Sequence, residues 1–132
     1  LLNDAKELLE KKDNTPGFVE TRAAGSILHD FYCGVEKIFE RIAVNVDENL
    51  PAGESWHADL LVQMADPWKD VRGEVITTEF MSTLKEYMRF RHLFRHIYGF
   101  ELKWGRFRHL FLRLEHTFKE LRSEIEKFLE EF

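Results

Sequence analysis

Between residues 20 and 43 the apolar side chains Ile27, Phe31, Val35, Ile38 and Ile42 recur every three or four positions, with polar residues between them. That spacing lines them along one side of a helix of about 3.6 residues per turn, so the segment is predicted to be an amphipathic α-helix. The same rhythm is under way in the opening "LLNDAKELLEKK", which has no initiating Met and predicts a helix whose start lies upstream of residue 1. Breakers follow in "DNTPG". After the long helix the polar stretch "VNVDENLPAGES", with Pro51 and Gly53, predicts a loop; "WHADLLVQM" predicts a short helix capped by Ser55, and "ADPWKDVRGE" a crossing segment. Thr77 is placed to cap the next helix, with Ile76 and Met81 flanking its start as a hydrophobic staple, and Gly99 is placed to end it near Ile97 or Tyr98. From about 106 to 132 the residues Phe107, Leu110, Phe111, Leu114, Phe118, Leu121, Ile125, Phe128 and Phe132 repeat in near-heptad order and predict a closing helix. No segment alternates as a strand would. The pattern predicts an all-α antiparallel bundle of about five helices, forming a single domain over residues 1–132.

Composition adds limits. A chain of 132 residues and 15.8 kDa is large enough for one hydrophobic core, and twelve Phe with three Trp and three Tyr supply bulky material for it. No apolar run reaches the ~18 residues of a membrane span and no leader pattern opens the chain, so a cytoplasmic protein is expected. The lone Cys33 has no disulfide partner and is expected as a small buried apolar residue among Phe31, Tyr32 and Val35.

Charge changes the picture more. The net charge is −5, yet residues 85–113 hold eight Lys or Arg against two Glu, a local +6 that leaves −11 for the rest. A polyanion would be drawn to that segment although the whole molecule would repel it. On a helical wheel of about 100° per residue, Phe90, Leu93, Phe94 and Ile97 fall within an arc of about 100° and are expected to face the core. Arg91, Arg95 and Tyr98 cluster on the remaining arc, with His92 and His96 beside them. No acid stands between Arg91 and Tyr98 to pair with the arginines, which repel each other at i,i+4 by about 0.2–0.5 kcal/mol. Arginine offers a planar donor fork suited to phosphate, and histidine gives or takes a proton near neutrality. RNA carries its own nucleophile, the 2′-hydroxyl, so these groups suffice in principle to break its phosphodiester without a metal. The same residues also fit a non-catalytic module that docks a nucleotide or a partner, or a plain structural bundle with a solvated basic face.

Arg91, His92, three further residues, then His96, Ile97 and Tyr98 spell R-x-x-x-x-H-x-Y. This pattern, near the end of a helix, resembles the motif of the HEPN superfamily and in particular of the HepT toxins of HepT/MntA toxin–antitoxin systems. The "FRHLFRHIYGFEL" stretch, "WHADLLVQM", "DVRGEVIT" and the Phe-rich end look like HepT as well. The resemblance implies a metal-independent endoribonuclease, needing no cofactor, that cuts transfer or messenger RNA. Arg91 and His96 become its catalytic pair, with His92 and Arg95 in support. It implies a homodimer or larger assembly in which two motifs face each other across a two-fold axis, and Lys103, Arg106 and Arg108 extend the track for the RNA backbone. It also implies a partner, an MntA-like nucleotidyltransferase antitoxin that silences the toxin by attaching AMP to Tyr98.

Other candidates are weaker. His109 and His116 lie seven apart with no accompanying carboxylate triad, and Glu54 to His57 forms one E-x-x-H where a bundle dimetal site needs two, so no metal is expected. His29 and His57 read as hydrogen-bonded structural histidines. Trp56, Trp68 and Trp104 read as anchors for loops and the interface, with Trp104 also placed to stack on an RNA base.

Overall fold

The computed structural model describes residues 16–97 and 101–132. The expected opening helix, the Gly99 terminator and Tyr98 lie outside them. The described residues form α1 (Phe18–Ile42), a π turn (Ala43–Asp47), α2 (Trp56–Ala65), α3 (Thr78–His96), α4 (Trp104–Leu112) and α5 (Leu114–Glu131). There is no strand among them; the one ladder-like contact is the isolated bridge between Trp68 and Arg72. The all-α class and the helical bundle are as the sequence pattern predicts.

The core stripe of α1 is Ala24, Leu28, Phe31, Tyr32, Val35 and Phe39; it keeps Phe31 and Val35 of the predicted line and is turned toward Leu28, Tyr32 and Phe39 at the expense of Ile27, Ile38 and Ile42. Ile38 is 40% exposed, and Ile27 and Ile42 are only partly buried. Ring size decides this: seating Tyr32 and Phe39 removes more apolar area from water than seating Ile38 would. The rotation has a further effect, because it turns Glu36 inward.

Packing of α1 on α3 dominates the interior, with the Phe31 and Tyr87 rings edge to face at 5.3 Å. Gly25 makes room at the end of this contact. A Cβ there would stand 2.8 Å from a ring carbon of Phe94 and 3.0 Å from a methyl of Leu102. Thr77 caps α3 as predicted, its Oγ1 accepting from the Phe80 N–H at 3.1 Å, and Ile76 and Met81 both join the core. Glu124 of α5 reaches across to accept the Thr77 N–H at 2.7 Å, which ties the last helix to the start of α3.

The closing helix is interrupted, contrary to the continuous 106–132 pattern. It starts at Trp104 and breaks at Arg113, between α4 and α5. The cause lies in α3. The buried Tyr87 hydroxyl donates to the Leu110 carbonyl at 2.8 Å, the group that would accept the Leu114 N–H in an unbroken helix, and sits 3.1 Å from Thr117 Oγ1. A side chain inserted into the ladder in this way bends a helix. Beyond the bend Leu114, Leu121 and Phe128 stay buried, whereas Phe118 and Phe132 face solvent.

The loop that follows α2 is held by a buried ion pair. Arg72 Nε and Nη2 donate to the two carboxylate oxygens of Asp47 at 2.5 and 2.7 Å, and its remaining hydrogens go to the carbonyls of Gln63, Asp66 and Gly73. Gln63 Nε2 donates to the same Asp47 at 2.8 Å. The π turn at the end of α1, closed by Glu48 in the left-handed region at φ 55°, is what carries Asp47 inward.

Tyr87→Phe removes the hydroxyl that occupies the bend and leaves a buried carbonyl without its donor. The expected cost is about 1–3 kcal/mol, read as a lower urea midpoint with an unchanged slope.

Candidate functional site

The last turns of α3 carry the candidate residues, and their directions follow from how that helix packs. Phe80, Leu84, Tyr87 and Phe90 define its buried line, and Arg91 lies four residues beyond Tyr87 and seven beyond Leu84. Arg91 is therefore drawn against α1 and is only 9% exposed, while Leu93, expected in the core, is 45% exposed. The wheel over residues 90–97 misassigned both because it omitted the preceding two turns, where Leu84 and Tyr87 set the direction of the stripe.

Against α1, Arg91 Nε lies 3.5 Å from Glu36 Oε1 and 3.4 Å from Cys33 Sγ. Both contacts use Nε. Cys33 is partly exposed and polar in its surroundings, with the His29 ring nitrogens at 3.7 and 3.9 Å, so it is not the simple apolar filler expected. The second oxygen of Glu36 accepts from His57 Nδ1, at the start of α2, at 2.6 Å. One buried carboxylate thus faces a guanidinium from α3 and an imidazole from α2. The Trp56 ring packs on His57 with centroids 3.7 Å apart. Beneath them the Tyr32 hydroxyl is buried without a hydrogen-bond partner among the described residues. Its ionisation is pushed well above the ordinary range, first by burial and then by Glu36, with Arg91 opposing.

A cleft of about 270 Å³ opens at this junction, and its wall includes Glu54, His57, Met88, Arg89, Arg91 and His92. Its volume is near the lower end for small-ligand pockets and would take one phosphodiester unit with part of a sugar. His96 is exposed and is not part of that wall. Its Nδ1–H donates to the His92 carbonyl at 2.7 Å, which makes Nε2 the ring's other nitrogen. Its ring stacks on that of His92 at 4.3 Å, one ring beyond the rim. Arg95, Lys103, Arg106 and Arg108 are all exposed, the last three at the start of α4.

The remaining candidates take structural places. His109 and His116 are exposed beside Glu86 and Glu120, at 3.5 and 3.9 Å. Trp104 sets its ring edge to face with Phe107 and Phe111 at 5.5 and 5.6 Å, and Trp68 packs under the Arg72 guanidinium. Among the described residues no group of three or more His, Cys, Asp or Glu side chains is placed to hold a metal ion. Sequence reasoning did not single out Glu36, and it read His57 as structural. The available signal was an acid at the fourth position after Tyr32, inside a stripe otherwise filled largely by apolar side chains.

No helix among the described residues is long and apolar enough to cross a membrane. Searches of curated proteins and of solved structures found no match. A family model described as HepT-like protein matches residues 23–132, a span that contains Glu36, His57, Arg91 and His96 together with nearly all of the helical bundle. The chain belongs to this HepT-like family of the HEPN superfamily.

Proposed function

We propose that this protein is a metal-independent endoribonuclease toxin, held in check by a nucleotidyltransferase antitoxin. The family supports the coarser part, a HEPN-type component of a toxin–antitoxin pair. The observation that supports the finer part is the setting of Arg91: it lies in the wall of a cleft with its Nε against Glu36 and Cys33, and the amino end of the fork is the part assigned to the phosphate oxygens. Charge building on the phosphorus oxygens during transesterification is stabilised by that fork. His96, whose Nδ1 is held by the His92 carbonyl, takes the proton of the attacking 2′-hydroxyl on Nε2.

His96 lies just outside the cleft of its own subunit, which fits a two-fold dimer in which two motifs together surround one RNA linkage. The exposed Leu93 on the same helix gives such a dimer an apolar contact. Arg95, Lys103, Arg106 and Arg108 then continue the cationic track along the RNA backbone, while His92 spaces the His96 ring from the rim. AMP attached to Tyr98, two residues beyond His96, would bring a negative phosphate to the position the substrate needs and block it.

In a digest of total RNA with EDTA present, wild-type protein is expected to cut and His96→Ala to cut about 10²–10⁴ times more slowly. Intact RNA in both lanes would instead favour a non-catalytic nucleotide- or partner-binding module. Replacing Lys103, Arg106 and Arg108 by Ala is expected to weaken RNA binding and to flatten its dependence on log salt by about 0.7 per lost phosphate contact; an unchanged slope removes them from the track. Incubation with the nucleotidyltransferase and ATP is expected to add AMP mass to the wild type and none to Tyr98→Phe, as read by mass spectrometry.

A further inference from the structure

We infer that His57 is a catalytic residue of the same site, the acid that protonates the leaving 5′-oxygen. This rests on the ribonuclease reading and deepens it. Cleavage of RNA through its 2′-hydroxyl moves two protons, one away from the nucleophile and one onto the leaving group, and one imidazole cannot perform both at once on opposite sides of phosphorus. Arg91 moves neither, since a guanidinium does not give up its proton in a protein. A second proton-transfer group is therefore needed within reach of the phosphate that Arg91 holds. In a two-fold dimer the candidates are the second copy of His96 and an imidazole of the Arg91 cleft itself, and His57 is the one there whose ring is oriented by a buried carboxylate.

His57 fits that need in four respects. Its ring stands in the cleft wall together with Arg91. Its Nδ1–H is committed to Glu36 Oε2 at 2.6 Å, so the tautomer is fixed and Nε2 is the ring's remaining polar atom. The Trp56 ring at 3.7 Å holds the plane of the imidazole. The side chain is 29% exposed, where a histidine serving only to neutralise a buried carboxylate would be enclosed with it. Glu36 is buried behind both groups and faces Arg91 with its other oxygen, so one carboxylate sets the distance between the phosphate clamp and the acid. His29 lacks this setting: its carboxylate partner is the exposed Asp30, and it is no part of the wall.

The step balances as follows. The 2′-oxygen bonds to phosphorus as its proton passes to His96. The bond from phosphorus to the 5′-oxygen breaks, and that oxygen departs with the proton carried by His57 Nε2. The products are a 2′,3′-cyclic phosphate and a 5′-hydroxyl, and both imidazoles return to their starting forms by proton exchange with water.

The test compares two oligonucleotides with a single ribonucleotide at a cleavage point mapped from the total-RNA digest, one with the natural 5′-oxygen and one with sulfur in its place, because a thiolate leaves without a proton. His57→Asn is the variant of choice, since its amide can still donate to Glu36; His57→Gln, of matching length, repeats the comparison if the first does not fold. The expected result is a loss of about 10²–10⁴-fold on the oxygen substrate and a rate within about tenfold of wild type on the sulfur substrate. Equal losses on both substrates, or no loss on either, would overturn the assignment of His57 while leaving the ribonuclease reading intact. A wild-type protein that cuts neither substrate overturns the reading and this inference together.

Discussion

A single buried carboxylate, Glu36, is the constraint on which the site depends. A negative charge taken from water into the junction of α1, α2 and α3 is costly unless it is paired and hydrogen-bonded on every side. Here one oxygen faces Arg91 and the other binds His57. Each partner needs the carboxylate in turn, because a guanidinium only 9% exposed would otherwise be stranded without a counter-charge. The three residues come from three helices, so their mutual satisfaction fixes how the helices meet. Fold and site are the same arrangement at this point.

A second ionic contact works at the other end of the α2 segment. Asp47 and Arg72 are paired with every guanidinium hydrogen given an acceptor, and Gln63 joins them. Together the two carboxylates pin both ends of α2, a helix of ten residues that is too short to hold itself in place by propensity. Without that anchoring His57, its second residue, would have no fixed direction. The bend at Arg113 plays a comparable part, since the Tyr87 hydroxyl that causes it also locks α3 to α4 just below the motif.

Much of this was legible in the sequence, and the parts that were not share a cause. Helix existence followed from periodicity, and the Thr77 cap from its local chemistry. The R-x-x-x-x-H-x-Y spelling, with the surrounding segments, led to the family. Which residue of a helix turns inward was less legible, because it depends on the neighbouring helix: Tyr32 and Phe39 outcompete Ile38, and Leu84 and Tyr87 determine that Arg91 rather than Leu93 meets α1. Long-range polar pairs were hidden for the same reason. Glu36 and His57 are 21 positions apart, and Asp47 and Arg72 are 25, with nothing in either local pattern to connect them. The interrupted closing helix is the third case, its cause being a hydroxyl 23 positions upstream of the carbonyl it takes.

The close approach at Gly25 carries one more consequence. Phe94 stands in the turn between Arg91 and Arg95, and it rests on the bare backbone of α1 where any side chain would collide with its ring. The spacing between the two helices at the motif's end is thus gauged by the width of one hydrogen atom. A methyl group added there would press on the Phe94 ring and on a Leu102 methyl, and the contact between the helices would have to give way at one of them. The placement of the motif's last turns is in this way inherited from a residue that carries no side chain.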